Sequence, residues 1–225
     1  MAWAPVLKIA LAAGAVAMFV RQCRKPAGWP GRWIVTLMNR SHAGLTGWGL
    51  SHVAIDRNFR ILDVGCGGGA TIRRLASAAD LGKVCGVDYS RASVAASRAT
   101  NADAIAAGRV EIQEGSVSRL PYPDAAFDLV TAVETHYYWP DLASNVREIL
   151  RVLAPGGRLV LIAELYRHRR FDPGALVMKP LGGLVLSADE HRDLLTSAGY
   201  TEIDVQTSKA GWICAIGRKP RTTSD

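Results

Sequence analysis

The stretch Asp63-Val-Gly65-Cys66-Gly67-Gly-Gly69 sets one carboxylate beside four glycines. Glycines there permit a tight turn and let a ligand come close to the backbone. An acid just ahead of them suits a ligand that carries an ammonium group. It opposes a pyrophosphate, which favours helix N-terminal amides with no carboxylate close by. Gly65-x-Gly67-x-x-Ala70 also satisfies a dinucleotide pattern, so a nicotinamide enzyme is an alternative at this point. Asp88, 19 residues beyond Gly69, can accept from both hydroxyls of a ribose or cap the helix that follows it. Farther on, Glu134-Thr-His136-Tyr137-Tyr138-Trp139 joins two groups able to take a proton to three aromatic faces. His136 is the natural general base by its ordinary pKa, with a packing or ligand-positioning role as the alternative. Glu134 serves as base or orients a substrate donor. The aromatic cluster is a substrate wall or core. Glu164, Tyr166 and Arg167 stand at the end of a later strand, and Tyr166 joins the candidate substrate contacts.

These residues need elements to carry them. Ile61–Val64 reads as a buried strand ending in the first glycine, with a helix from about residue 70 to 79. Lys83–Val87 is the next strand, and a long helix follows from the N-cap Ser90 to about Ala107, stopped by Gly108. Val110–Glu114 and Phe127–Val133 are further strands, then a helix from about Pro140 to Leu153. The turn Ala154-Pro-Gly-Gly157 leads to a strand over Arg158–Glu164. Strands alternating with helices at this spacing predict right-handed βαβ units and a parallel sheet covered on both faces. The end differs: a capping-box helix starts at Ser187 and stops at Gly199, and two strands follow with no helix between them. That hairpin puts one antiparallel strand into a doubly wound sheet. Residues 166–186 form a Pro/Gly-containing insertion, a candidate substrate lid.

The chain has 225 residues, is 49% hydrophobic and 21% charged, and carries a net charge of +7. Disorder, collagen and a multi-span membrane protein fit poorly. Four cysteines without paired or metal-like spacing argue against a disulfide scaffold or zinc site and suit a reducing compartment. The entire charge excess lies in residues 1–60, and the remainder is neutral. Domain organisation follows: an apolar and basic helical segment over 1–57, then one catalytic-type domain over 58–225. Residues 9–20 carry no charge, and four of the six tryptophans (Trp3, Trp29, Trp33, Trp48) lie nearby among cations. That pattern suits association with a membrane surface through residues 1–40, spanning or interfacial, on the cytoplasmic side. A cleaved signal peptide and a helix or lid packed on the domain are the alternatives.

Four motifs in order carry a family resemblance: Asp63-Val-Gly-Cys-Gly-Gly-Gly, Val87-Asp88-Tyr89-Ser, Leu120-Pro-Tyr-Pro-Asp-Ala-Ala-Phe-Asp-Leu-Val130 and Arg151-Val-Leu-Ala-Pro-Gly-Gly-Arg-Leu159. Over about 58–217 the chain resembles the class I S-adenosylmethionine-dependent methyltransferases, in the small-molecule branch that includes the ubiquinone and menaquinone C-methyltransferases. The resemblance implies a Rossmann-like α/β fold with a seven-stranded sheet of order 3-2-1-4-5-7-6, strand 7 antiparallel. It implies that Asp63 and the Gly65–Gly69 loop, Cys66 included, lie against the methionine part of S-adenosyl-L-methionine. Asp88 and Tyr89 then hold the ribose, and Glu134 borders the cofactor. One departure stands out. After the third strand the family often has Gly-Asp, and this chain has Gly115-Ser116-Val117. The Ser116 hydroxyl and the Val117 amide can still meet the adenine.

Methyl transfer is an in-line displacement, so the protein must align a nucleophile, exclude water and accept a proton where one is lost. The expected activity is methyl transfer to a small hydrophobic acceptor, quinone-like or lipid-like, at a membrane surface. A soluble O- or N-methyltransferase and a non-catalytic cofactor-binding relative are the alternatives. A base-flipping nucleic-acid enzyme would show an Asn/Asp-Pro-Pro-aromatic turn after the fourth strand and a basic domain, and neither is present.

Overall fold

The computed structural model describes residues 41–168, 178 and 182–221, together with Lys25 and Gly28. Apart from those two residues, the expected anchor over 1–40 lies outside the described residues, as does much of the 166–186 insertion. Among the described residues no helix is long and apolar enough to cross a membrane.

Ile61 and Leu62 are adjacent in the first strand, point to opposite faces, and are both fully buried. Val84/Cys85, Leu129/Val130 and Val160/Leu161 repeat the pattern. A strand apolar on both faces needs helices on both, which is why these runs read as continuous rather than alternating. The strands are β1 (Arg60–Val64), β2 (Lys83–Asp88), β3 (Val110–Glu114), β4 (Phe127–Val133), β5 (Leu153–Ala163), β6 (Thr201–Thr207) and β7 (Ile213–Arg218). They form one sheet of order β3-β2-β1-β4-β5-β7-β6, in which β1 to β5 are parallel and β7 runs antiparallel to both neighbours. The expected fold class and strand order are both present. On one face, α1 (Ala43–Leu50), α2 (Ala70–Ala78) and α3 (Arg91–Thr100) pack with Ile61, Val84, Leu129 and Ile162. On the other, α5 (Leu142–Val152) and α6 (Ala188–Ser197) pack with Leu62, Val87, Val130 and Leu161.

Two boundaries depart from the sequence reading. The single helix expected over 90–107 breaks at Asn101, whose backbone leaves the helical region (φ −118°, ψ 22°), and resumes as α4 (Ala102–Ala106). The Asn101 amide instead donates to the carbonyls of Gly69 and Ser97, at 3.0 and 2.9 Å. A long-range tie to the glycine loop thus overrides local helix continuity. β5 starts at Leu153, five residues earlier than expected. Leu153 already pairs with Phe127, and the Pro-Gly-Gly run is absorbed as a register shift between Phe127 and Leu129.

The helix α1 seats residues 43–50 against the sheet. Leu45 and Leu50 are core residues, and the Cys214 thiol reaches the Gly49 carbonyl at 3.5 Å. A Cβ at Gly49 would lie 2.5 to 2.8 Å from three carbons of Ile162, so the helix sits as close to β5 as a glycine allows. Gly49→Ala gains up to about 1 kcal/mol of helix propensity but forces overpacking that costs roughly 1–3 kcal/mol. We expect net destabilisation, read as a lower urea midpoint with an unchanged m-value.

Candidate active site

Five parallel strands all point their carboxyl ends to one edge, so a cleft forms where the order reverses between β1 and β4. The cleft has an empty volume of about 700 Å³ and is lined by the ends of β1, β2 and β3 and the turn after β4. Gly65, Asp88, Tyr89, Ser116, Val117, Tyr138 and Trp139 line it, as the motifs led us to expect. Val64, Val87, Gly115, Thr135 and Pro140 line it too, and the sequence reading had not singled them out. Thr135 had a signal of its own, because it lies between two candidates in the turn after a central strand, where a doubly wound sheet opens its crevice.

Gly65 turns β1 toward α2 with φ +75°, in the region that L side chains avoid. Its amide and that of Cys66 both donate to the Val87 carbonyl, at 2.8 and 3.1 Å, which welds the loop to β2. A Cβ on Gly65 would meet the Thr135 hydroxyl at 2.3 Å, whereas one on Gly67 would meet nothing nearer than a carbonyl at 4.0 Å. The loop therefore leaves open space in front of Gly67, a cradle that a side chain would fill. The Cys66 side chain lies elsewhere. It is buried in the apolar layer around Ile72 and Gly86, and burial pushes its thiol pKa up, so only its backbone belongs to the loop.

Both carboxylates are buried. Asp88 accepts from the Gly67 amide at 3.0 Å and the Ser90 amide at 2.8 Å, which leaves each oxygen one further lone pair. Burial nonetheless raises its pKa. Asp63 lies just behind the cleft wall, accepts from Thr131 Oγ1 at 2.7 Å, and is 2% exposed. Its pKa is pushed up to about 7, mainly by burial; the Thr131 hydrogen bond opposes this and the nearby Asp88 charge adds to it. Two buried acids with no cation paired to either among the described residues make a site that favours a positively charged ligand. At the far end, the Ser116 hydroxyl accepts from the Ser118 amide at 3.2 Å, closing a small turn after β3.

The turn after β4 separates the remaining candidates. Glu134 has φ +58°, strained for a residue with a Cβ, and its carboxylate accepts from the Tyr137 hydroxyl at 2.6 Å and the Glu164 amide at 2.5 Å. Burial is the main reason its pKa rises to about 7, against the Tyr137 hydrogen bond. Tyr137 is buried with its hydroxyl committed to Glu134, so it orients that carboxylate rather than walling the cleft. Tyr166 packs against Tyr137 and Met178 in a third apolar cluster and stacks on His168.

His136 is 1% exposed, faces away from the cleft, and sets its Nε2 3.0 Å from Nε2 of His191 in α6. The network assigns the protons. His191 Nδ1 donates to the Ser187 carbonyl at 2.8 Å, so its Nε2 accepts from His136. Burial lowers both pKa values, His136 strongly, so the pair stays neutral and joins α6 to the turn. In this geometry His136 positions the turn that carries Tyr138 and Trp139. His191→Leu strands a buried N–H and should cost about 1–3 kcal/mol. Adding His136→Leu should recover part of that loss, because no donor is then left unpaired. A double-mutant cycle in urea measures the coupling.

Comparison with known proteins agrees with this geometry. Residues 62–161 match the family described as a methyltransferase domain. The chain is 43% identical over 177 residues to the 27-O-demethylrifamycin SV methyltransferase of Amycolatopsis mediterranei, covering 71% of this chain and 61% of that protein. It is 34% identical over 123 residues to the chloroplastic tocopherol O-methyltransferase of Arabidopsis thaliana, covering 54% of this chain and 34% of that one. Among solved structures, a SAM-dependent methyltransferase from Aquifex aeolicus superposes with a TM-score of 0.69 at 19% identity, over 84% of this chain and 98% of the other. The chain thus spans less than two thirds of the length of these curated relatives.

Proposed function

Because this chain carries a class I S-adenosylmethionine-dependent methyltransferase domain, we propose that it transfers a methyl group to a hydroxyl of a small hydrophobic molecule. The observation that carries the reading is the pair of buried, uncompensated carboxylates at either side of an open glycine loop. When bound, S-adenosylmethionine supplies an electrophilic methyl group on a sulfonium. Asp63 and the Gly65–Gly69 backbone would hold its ammonium end, Asp88 its ribose hydroxyls, and Ser116 with Val117 its adenine. Val117, Tyr138, Trp139 and Pro140 give the cleft an apolar wall that excludes water. Glu134, with a pKa near 7 and two donors fixing its orientation, is the group best placed to take a proton at the end of β4.

An oxygen acceptor is favoured because one curated relative is a tocopherol O-methyltransferase by name and another is named for a 27-O-demethyl substrate. The tocopherol relative and the Trp-rich basic segment before residue 60 support a lipid-like or quinone-like acceptor met at a membrane surface. Flotation of the full chain with anionic vesicles at low salt tests the surface; a chain that stays in the aqueous layer sinks that part.

Calorimetry with S-adenosylhomocysteine and NAD side by side tests the core reading. The wild type should bind the first and give no heat with the second. Asp88→Ala should weaken binding by roughly 1–3 kcal/mol, the scale of hydrogen bonds to a charged group. Binding of NAD alone, or unchanged affinity in the variant, would overturn the assignment.

A further inference from the structure

One group of side chains beside the cleft joins Glu134 to two residues outside the cofactor motifs. His42, the residue that enters α1, brings its Nε2 to 3.8 Å from Glu164 Oε1 at the end of β5. One ligand atom each from His42, Glu134 and Glu164 lies within 4.8 Å of the other two. The three residues are far apart in sequence and come together because α1 packs across β5 while β4 and β5 run side by side. No spacing rule could have found them.

We propose that His42, Glu134 and Glu164 form a binding site for one divalent transition-metal ion beside the cleft, at the carboxyl ends of β4 and β5. The donor set is one imidazole nitrogen and two carboxylates, a mixture that suits manganese, cobalt or zinc. Ligands at about 2.1 Å from such an ion stand roughly 3–4 Å apart. The His42–Glu164 separation of 3.8 Å is already in that range, and no separation in the cluster exceeds 4.8 Å, so adjustment of the side chains by about an ångström brings all three to an ion. Glu164 has the freedom to move, since its side chain is half exposed. Glu134 is held from the other side by Tyr137 and the Glu164 amide, with one lone pair on each oxygen still free. No lysine or arginine among the described residues pairs with either glutamate, so the charge of the pair is open to a dication. The half-exposed Glu164 opens the cluster to solvent on its side. An acceptor hydroxyl bound there would lose its proton more readily, to water on the exposed Glu164 side, because Glu134 then serves as a ligand and no longer takes it. That role rests on the proposed methyl transfer, but the binding itself does not.

The test uses the full chain and two probes, Co²⁺ by its visible absorption and Mn²⁺ by electron paramagnetic resonance. The wild type should bind one equivalent, and His42→Ala and Glu164→Gln should each lower affinity at least tenfold. His52→Ala, a nearby histidine outside the cluster, should leave it unchanged. S-adenosylhomocysteine binding, measured on every variant, reports that the fold and the cofactor cleft are intact. Absence of Co²⁺ and Mn²⁺ binding by the wild type overturns the proposal. So does binding that survives both His42→Ala and Glu164→Gln. Either outcome leaves the cofactor assignment standing, and failure of S-adenosylhomocysteine binding alone would strike the cofactor assignment instead.

Discussion

Gly65→Ala should abolish cofactor binding and cost the fold several kcal/mol. Two independent penalties meet at that residue. A side chain held at φ +75° carries about 1–2 kcal/mol of left-handed strain. Its Cβ would also sit 2.3 Å from the Thr135 hydroxyl and 2.8 Å from the Thr135 Cβ, an overlap worth roughly 1–3 kcal/mol. Relief requires the turn after β4 to retreat, and that turn carries Tyr138, Trp139 and Pro140 into the cleft. We therefore expect a loss of about 2–5 kcal/mol in urea unfolding together with undetectable S-adenosylhomocysteine binding. Gly67→Ala is the informative companion. Its Cβ meets only open space, so the protein should fold with a loss of about 1–2 kcal/mol from left-handed strain alone. Binding should still fail, since the new methyl group occupies the cradle. A Gly67→Ala variant that binds normally would show that the ligand lies elsewhere.

Asp63→Asn should make the ligand-free protein more stable at pH 8 while weakening its hold on the cofactor. The Asp63 pKa is raised by burial to about 7 in the folded chain, against an ordinary value near 3.8. A raised pKa means that the folded state holds the proton more tightly than the unfolded state does. The associated stability is therefore fully present below about pH 4, and it drains away as pH rises through 7. The ceiling is about 1.4 kcal/mol per pH unit. Asparagine keeps an oxygen for Thr131 and removes the buried charge, so the variant should gain about 2 kcal/mol relative to the wild type at pH 8 and little at pH 4. Cofactor affinity should move oppositely, because the ammonium favours the carboxylate. In the wild type S-adenosylhomocysteine should bind more tightly as pH rises from 6 to 8. Proton release would show as a dependence of the calorimetric heat on the buffer. A flat affinity profile with no proton release would mean that Asp63 does not meet the ligand's charge.

Most of the sheet could be read from the chain because each βα unit announces itself locally. Ile61–Val64 is apolar on both faces, glycines close it, and the next strand arrives at the expected distance. The same holds for Asp88 and the Gly65 loop, since strand ends are where a doubly wound sheet binds ligands. Sequence reasoning failed wherever a side chain's partner is remote. Nothing around His136 announces His191, 55 residues away, so the sequence left a base and a packing role both open for a histidine that the fold pairs with α6. Asn101 looked like one more helical residue until its amide was seen reaching back to Gly69. His42 sat in a stretch whose charge and tryptophans drew attention to membranes, and only the docking of α1 brings it to Glu164.

Among the described residues, all that line the cleft fall between Val64 and Pro140, one stretch of chain inside the span that matches the family. The groups gathered at the other end, His42 and Glu164, are recruited from outside that stretch, one from each flank. Such a layout lets the flanks be rewritten or exchanged during descent while the reagent-holding portion is inherited intact. Chimeras grafting the first 57 residues or the segment after β5 from a relative should accordingly trade one acceptor for another without relearning how to hold the methyl donor.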